Sequence, residues 1–187
     1  SNLYQHLIKN RKSIAKKTNV NPIVKFVSAK NRQKKRKISI PKKKWLKNYL
    51  DVTKHPEVDL VVELIGGSDG AAKKLVFNSL KNKKHVVTAN KALISKHGDA
   101  LSKLAEKNKV NLEFEASVGG GIPILRTIKE GLATNKISKV YGILNGTSNY
   151  ILSEMETSKN SFDDVLKKAQ SLGYAEPGNP KLDLNGY

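Results

Sequence analysis

Residues 111–123, NLEFEASVGGGIP, contain the residue types best suited to holding a ligand. Residues 112–116 have the pattern of a strand that runs into three glycines and then a proline, which suits the first turn of a helix. Backbone N–H and C=O groups at such a turn are uncovered, so they can approach a phosphate, a metal ion or a nicotinamide. Three glycines taken alone more often indicate a tight turn that needs positive φ, so the surrounding elements must decide.

The elements that must position this stretch alternate between strands and helices. The sequence predicts strands at 23–29, 58–65, 85–89 and 112–116, and helices at 3–18, after Pro41, around 71–80 and at 91–109. The second strand, VDLVVELI, is almost continuously apolar, which is typical of a strand buried on both faces of a parallel sheet. This alternation predicts an α/β fold with a Rossmann-like, doubly wound parallel sheet.

In a doubly wound sheet, ligands bind beyond the carboxyl ends of the strands. The residues that the sequence places there include glycines, an amide and cations: Lys30, Arg32, Gly66, Gly67, Ala89, Asn90, Lys91 and residues 117–120. Such a lining suits a dinucleotide. A G-x-G-x-x-G loop should precede the first helix, so we expect that loop and its strand upstream of residue 1.

Composition narrows the class of protein. The 187 residues are 38% hydrophobic and 27% charged, and no apolar run approaches the roughly 20 residues that a membrane span needs. The sequence has no cysteine, which excludes a disulfide framework, a thiolate nucleophile and a Cys-based zinc site. These features are typical of a soluble globular protein and agree with a cytoplasmic location.

The net charge of +19 raises the alternative of a nucleic-acid-binding module. Ten basic residues fall within residues 30–47, without an acidic residue among them. However, the chain has only four arginines and 6% aromatic residues, whereas base recognition and base stacking depend on these types. A solvated, lysine-rich surface is therefore the favoured interpretation of the charge.

Five segments resemble one known family, in order and in spacing: VVELIGG, VVTANKALIS, FEASVGGGIPILRTI, GILNGTSNYIL and GYAEPGNPKLDLNGY. They are similar to homoserine dehydrogenase. The resemblance implies NAD- or NADP-dependent interconversion of L-homoserine and L-aspartate 4-semialdehyde, a step of threonine and methionine biosynthesis, by a homodimer. It also implies a dinucleotide-binding domain, here residues 1–116, followed by the start of an α+β substrate and dimerisation domain, here residues 117–187.

The resemblance gives the cofactor side of the site its residue roles. Lys91 matches a lysine that contacts the cofactor and is a candidate catalytic residue, although a single lysine taken alone is more often a solvated surface group. Gly173 matches a backbone contact to the cofactor. No acidic residue follows the strand predicted at 23–29, where Lys30 and Arg32 stand instead, so we predict a preference for NADP, with NAD as the alternative.

The resemblance also assigns a substrate site and a cation site. Candidate substrate ligands are a hydroxyl, a phenol and two carboxylates: Thr147, Tyr174, Glu176 and Asp183. Glu115, Val118, Gly120 and Ile122 match positions that hold Na⁺ or another monovalent cation, through one carboxylate and three backbone carbonyls. Oxygen ligands suit such a hard cation, which would have a structural role. Alternatively, Glu115 caps local N–H groups.

Two departures from the family pattern limit what the fragment is expected to do. The family motif that begins at Asp183 continues to an aspartate and, four residues later, to a lysine that donates a proton; both would lie beyond Tyr187. Residues 176–183 are also about one residue longer than the family spacing. We therefore expect a homoserine dehydrogenase as the parent protein and little or no activity from these 187 residues alone.

The elements predicted for the second domain are a helix at 124–132, a strand at 139–144 and a turn at 145–147. A helix is also predicted at 162–172, with Ser161 and Asp164 in a capping box. Alternatives to the family assignment are a ligand-binding remnant without turnover and a related oxidoreductase. An aspartate-semialdehyde dehydrogenase is disfavoured because it needs a nucleophilic cysteine.

Overall fold

The computed structural model describes residues 2–142, 145–175 and 184. The chain divides into two compact units, Ser1–Phe114 and Glu115–Tyr187. Each unit is described by itself below.

The first unit is built around a three-stranded parallel sheet. Its strands are β1 (Leu60–Glu63), β2 (His85–Thr88) and β3 (Leu112–Glu113), in the spatial order β1-β2-β3. In the register of the sheet, Leu60 pairs with His85 and Val86 with Leu112. Parallel neighbours need crossover connections, and the two helices α2 (Ala71–Lys81) and α3 (Lys91–Asn108) supply them. The predicted parallel α/β arrangement is confirmed.

The core of this unit lies between the sheet and its crossover helices. The fully or almost fully buried members of the main cluster come from α2, β2, α3 and β3: Val76, Leu80, Val86, Leu93, Leu101, Ala105 and Leu112. Burying each large aliphatic side chain contributes about 1.5 to 3 kcal/mol. The crossover helices are thereby fixed on the strands, which places the strand ends and the first residue of α3 at one edge.

The N-terminal part of the first unit is less regular than predicted. Helix α1 (Asn2–Thr18) forms as expected, but residues 23–29 are not a strand. Within that stretch Val27 makes a single parallel bridge with Trp45, flanked by bonds from Val27 N to Lys44 O (2.8 Å) and from Leu46 N to Val27 O (3.0 Å). The turn at Lys42–Lys44 lets only a short extended segment run beside Val27, so no longer ladder develops.

The helix predicted after Pro41 is also wrong. Two short 3₁₀ turns, Lys42–Lys44 and Tyr49–Thr53, take its place, and Trp45 between them is extended. Asn48 accepts a hydrogen bond from Leu50 N at 3.0 Å, which starts a new turn instead of continuing a helix.

The strands are shorter than the apolar runs suggest. β1 ends at Glu63 because the glutamate side chain turns back to the backbone amides of Ile65 and Gly66. β3 has two residues, and a 3₁₀ turn at Glu115–Ser117 follows almost directly. A side chain that binds nearby backbone N–H groups, as that of Glu63 does, competes with the sheet and ends β1 early.

The regular elements among the described residues of the second unit are helices and helical turns. α4 (Ile124–Arg126) is one turn that continues as a π-helical turn, Thr127–Gly131, where one regular helix was predicted over 124–132. α5 (Gly146–Ser158) and α6 (Phe162–Leu172) pack through Ile151, Val165 and Ala169. Ser161 caps α6 by accepting from Asp164 N, as predicted.

The strand predicted at 139–144 does not form over 139–142, and residues 143–144 lie outside the described part of the chain. Tyr141 is 86% exposed, and Val140 is also exposed. A strand needs a hydrogen-bonded neighbour, and the described residues place none beside this segment. None of the described helices is long and apolar enough to cross a membrane.

Candidate functional site

The carboxyl edge of the sheet is organised by a buried carboxylate. Glu63, the last residue of β1, is completely buried. Its Oε1 accepts from Ile65 N (2.5 Å) and Gly66 N (3.1 Å), and its Oε2 accepts from the hydroxyl of Thr88 (2.5 Å) at the end of β2. A buried carboxylate is costly unless its oxygens are hydrogen-bonded, and these donors satisfy it. Glu63 thus joins the ends of two neighbouring strands.

Asn90 connects this edge to the start of α3. Its side-chain oxygen accepts from Leu93 N (3.0 Å), so Asn90 is the N-cap of the helix. Its side-chain nitrogen donates to Gly67 O (2.8 Å), and its backbone N donates to the Thr88 hydroxyl (3.0 Å). The amide predicted to face a cofactor is therefore only 6% exposed and engaged with the protein itself, where it fixes the loop and the helix together.

The two glycines of this edge form an open loop. Gly66 and Gly67 have φ values of +85° and +80°, which residues with a side chain rarely adopt. A Cβ atom built on either glycine would meet nothing within 4 Å, so no atom from the described part of the chain fills the space above the loop. The loop exposes its backbone, and Leu64 and Ile65 beside it are also exposed. An uncovered glycine backbone with apolar neighbours is suited to a flat, polar ligand.

Lys91 lies where the sequence predicted, at the first position of α3, directly after the Asn90 cap. Its side chain is exposed, as is Ala89 before the cap. The N-terminus of an 18-residue helix favours negative charge, and an ammonium group at this point adds to that field. Lys91, Ala89 and the loop of Gly66 and Gly67 thus share one edge of the sheet.

A second carboxylate ties the following residues to α3. Asp69 accepts hydrogen bonds from Lys96 Nζ (2.6 Å) and from the Ser68 hydroxyl (2.8 Å), and its other oxygen lies 3.1 Å from His97 Nε2. Hydrogen bonds from Lys96, Ser68 and His97 hold the pKa of Asp69 well below its usual range. The segment that contains the two glycines is therefore held on both sides.

Lys30 and Arg32 lie on an ordered basic loop, which we define as residues 30–47. Arg36 donates to the carbonyls of Asn31 (2.7 Å) and Arg32 (2.9 Å) and lies 5.0 Å from the centre of the Trp45 ring. The Arg32 guanidinium lies 5.4 Å from the same ring. Hydrogen bonds and stacking hold Arg36 within the loop, whereas Arg32 lies over the Trp45 ring and keeps an exposed guanidinium. Lys30 and Arg32 remain exposed at its surface.

In the second unit, Glu115 caps a helix start. Its Oε1 accepts from Leu125 N (3.1 Å) and its Oε2 from Arg126 N (2.9 Å). This is the geometry of the alternative in which Glu115 caps local N–H groups. Ile122 O accepts from Ile124 N at 2.8 Å. Val118 N donates to Glu115 O (3.1 Å), and Ile122 N donates to Gly119 O (3.2 Å) across the turn that contains Gly120. A carboxylate has about four acceptor positions, so Glu115 retains capacity for a cation.

The residues predicted to bind substrate meet where α5 begins and α6 ends. The Thr147 hydroxyl donates to Tyr174 O at 2.7 Å, and the Tyr174 ring stacks on Tyr150 with 4.6 Å between ring centres. Gly173, with φ of +80°, ends α6 in the left-handed conformation. The structure thus brings Thr147, Gly173 and Tyr174 together. Glu176 and Asp183 lie outside the described residues.

Glu63 and Thr88 are the functional candidates that sequence reasoning missed. The signal was present: Glu63 is the single acidic residue inside the apolar run VVELI, at the end of a strand expected to be buried on both faces. A carboxylate at such a position must find donors, and a threonine at the end of the neighbouring strand is one of the few residues that can reach it.

Comparison with known proteins gives a consistent result. The profile described as "Homoserine dehydrogenase, NAD binding domain" matches residues 5–115, and the profile described as "Homoserine dehydrogenase" matches residues 123–187. The homoserine dehydrogenase of Neisseria gonorrhoeae is 49% identical over 78% of this chain and 33% of its own length. The chain spans about a third of the length of the curated relatives it matches.

Solved structures agree with these matches. A crystal structure of S. aureus homoserine dehydrogenase is 37% identical, covers 96% of this chain and 43% of its own, and has a TM-score of 0.73. A hyperthermophilic archaeal homoserine dehydrogenase in complex with NADPH is 26% identical over 73% of this chain and 41% of its own, with a TM-score of 0.63. The first unit is accordingly an NAD-binding, Rossmann-like domain, and the chain belongs to the homoserine dehydrogenase family of oxidoreductases.

Proposed function

We propose that the protein interconverts L-aspartate 4-semialdehyde and L-homoserine by hydride transfer with a nicotinamide cofactor. The observation that carries the proposal is the shared edge of the sheet, where an open glycine loop, the start of α3 and Lys91 lie together. Family membership supports the reaction type. The bound cofactor would supply or accept the hydride at the carbon that is reduced or oxidised.

The residues at this edge have complementary roles in the proposal. Gly66, Gly67 and Ala89 offer uncovered backbone against which the cofactor would lie, because the two glycines carry no side chain and the space above them is open. Lys91 places a positive charge at the same edge, where it would attract the cofactor and polarise the substrate carbonyl. Asn90 acts indirectly by holding Gly67 and the first turn of α3.

The substrate side is proposed from the chemistry of an amino acid. Thr147 and Tyr174, which share a hydrogen bond, would line the substrate site. Glu176 would pair with the α-ammonium group, since that charge needs a carboxylate in a confined site, and Asp183 would add a second carboxylate. Gly173 would contact the cofactor through its backbone. These assignments follow the family motif GYAE and the aspartate seven residues after its glutamate.

NADP is the proposed cofactor, with NAD as the alternative. Lys30 and Arg32 present exposed cations after the extended segment that contains Val27, and a 2′-phosphate requires cations there. The NADPH complex of the archaeal homologue supports this choice. A lower KM for NADPH than for NADH in the native protein would agree; a lower KM for NADH would refute it.

A structural monovalent cation is proposed at Glu115, Val118, Gly120 and Ile122. All four residues fall within residues 115–122 of the second unit, and their oxygen donors suit Na⁺. We also propose that the native protein is a homodimer that acts in threonine and methionine biosynthesis in the cytoplasm, as the family assignment suggests.

The test is NADPH oxidation by the native protein with L-aspartate 4-semialdehyde. Lys91→Ala should lower kcat/KM by about a hundredfold if the ammonium stabilises charge in the transition state. Lys107→Ala, which removes an exposed lysine from the last turn of the same helix, is the matched control and should leave kcat/KM unchanged. Absence of turnover in the wild-type protein, or equal effects of the two substitutions, would overturn the proposal.

A polypeptide restricted to residues 1–187 is expected to turn over little or no substrate, because it spans only about a third of the length of its curated relatives. Turnover by that polypeptide comparable to that of the native protein would refute this expectation.

A further inference from the structure

The carboxylate of Glu63 closes a ring of hydrogen bonds at the edge of the sheet. Starting at the loop, Gly66 N donates to Glu63, Thr88 Oγ1 donates to the other carboxylate oxygen, and Asn90 N donates to Thr88 Oγ1. Asn90 Nδ2 then donates to Gly67 O and returns to the loop. We call Glu63, Thr88, Asn90 and the loop of Gly66 and Gly67 the edge ring.

A carboxylate at position 63 is not needed to fill the core. Val61 in the same strand is only 4% exposed, so an aliphatic side chain fills a buried position there. Glu63, in contrast, lies fully buried in a strand, and the donors that the described residues give it are two backbone amides and a hydroxyl. Hydrogen bonds offset the cost of burying this carboxylate, but a well-packed apolar residue of similar volume is often as stabilising as a buried charged group, so stability alone does not require a carboxylate here. We therefore explain the presence of a carboxylate at position 63 by the way its hydrogen bonds fix the neighbouring loop and strand end.

That geometry concerns two elements of the proposed cofactor site. The bonds to Ile65 N and Gly66 N fix the peptide planes that lead into the two positive-φ glycines. Through Thr88 and Asn90, the same carboxylate sets the first turn of α3 and hence the backbone of Lys91. Loop and helix start cannot shift independently without breaking the ring.

We propose that Glu63 is a positioning residue for the nicotinamide dinucleotide: through the edge ring it holds the Gly66 and Gly67 loop and the start of α3 in the arrangement that binds the cofactor. This inference rests on the proposed function. Its energetic role is to keep the binding-competent arrangement populated before the cofactor arrives, since a smaller competent fraction raises the apparent dissociation constant in proportion.

The test compares the dissociation constant for NADPH among variants of the native protein, measured by the change in NADPH fluorescence. Glu63→Gln replaces an acceptor by an amide nitrogen, and Thr88→Val removes the hydroxyl donor without changing side-chain size. Each should raise the dissociation constant by about tenfold, which corresponds to the loss of one hydrogen bond to a charged group. Thr88→Ser keeps the hydroxyl and should stay within about twofold of the wild type.

Thr53→Val is the matched control for a merely structural effect. Thr53 is buried in the same unit and its hydroxyl donates to Leu50 O at 2.8 Å, outside the edge ring. It should lower thermal stability as Thr88→Val does but leave the dissociation constant unchanged. The inference would be overturned if folded Thr88→Val bound NADPH with wild-type affinity, or if Thr53→Val lost as much affinity as Thr88→Val. These two variants decide the test even if Glu63→Gln fails to fold.

The inference and the proposed function fail in different ways. If the wild-type protein does not bind NADPH or NADH, the proposed function falls and the inference falls with it. If the wild type binds the cofactor and the variants of the edge ring bind it equally well, only the role of Glu63 is refuted.

Discussion

Replacing Asn90 separates the two bonds that its side chain makes. Asn90→Ala removes the N-cap of α3 and the bond to Gly67 O together. Leu93, whose N–H donates to the Asn90 side chain, is completely buried, so the loss lies near the upper end for capping residues, about 2 kcal/mol. Gly67 is exposed and water can replace the lost donor, which adds about 0.5 kcal/mol. The expected loss in the free energy of unfolding is therefore about 2.5 kcal/mol.

Asn90→Ser isolates the bond to the loop. Serine is as good an N-cap as asparagine but cannot reach Gly67 O, so only about 0.5 kcal/mol should be lost. The assay is urea denaturation of the native protein followed by far-UV circular dichroism, with an unchanged slope as the criterion that compactness is unaffected. Asn108→Ala, which removes a side chain bonded to Leu104 O near the end of the same helix, is the control and should change stability by less than about 0.5 kcal/mol. Equal losses for Ala and Ser at position 90 would refute the capping role.

Three further perturbations test other parts of the structure. Leu101→Ala, at a fully buried position of α3, should cost about 2 to 5 kcal/mol in the free energy of unfolding, measured by urea denaturation. Asp69→Asn should lower the free energy of unfolding at neutral pH but not at strongly acidic pH, as urea denaturation at several pH values would measure. Because the pKa of Asp69 is lowered in the folded state, its stabilising contribution is complete above the unfolded pKa of about 3.9 and is lost as the pH falls further towards the folded pKa. Thr147→Val removes the bond to Tyr174 O and should raise KM for L-aspartate 4-semialdehyde by about tenfold while leaving KM for NADPH unchanged.

Each of these expectations has a contradicting outcome. A stability loss below about 1 kcal/mol for Leu101→Ala would mean that the core between α3 and the sheet is not packed as described. If the stability difference between the wild type and the Asp69→Asn variant did not depend on pH, the ionised carboxylate of Asp69 would not be what stabilises that loop. A parallel rise of both KM values in Thr147→Val would point to general disruption of the second unit.

Sequence patterns predicted the regular elements best where the capping residue, the periodicity of apolar residues and the residue types all favour the same structure. α3 begins after Asn90 because an N-cap and a helical apolar stripe coincide there, and α6 begins after Ser161 for the same reason. The run that became β1 was recognised from its β-branched residues. In these cases local preference and burial agree, so the sequence alone was sufficient.

The remaining elements depend on contacts that the sequence does not display. Residues 23–29 have strand composition, yet Val27 finds only a short partner around Trp45. The stretch after Pro41 has helical spacing, but the side chain of Asn48 starts a separate turn. For these segments the tertiary partners decided the conformation, which is the common way in which local preference is overruled.

Some features of the candidate site were likewise predictable from the sequence, and others depended on tertiary contacts. The position of Lys91, Gly66 and Gly67 was predictable because ligand edges of parallel sheets lie at the carboxyl ends of strands. The inward orientation of Asn90 was not, since an asparagine at a strand end can serve either a ligand or a helix cap. The role of Glu63 needed the structure, because its donors come from the loop and from the neighbouring strand.

The proposed cofactor position can be observed in a crystal structure of the native protein with NADPH. We expect the cofactor to lie against the backbone of Gly66, Gly67 and Ala89 with the Lys91 ammonium group facing it, while Glu63 keeps its bonds to Gly66 N and Thr88. A cofactor bound elsewhere, with this edge of the sheet uncovered, would contradict this expectation.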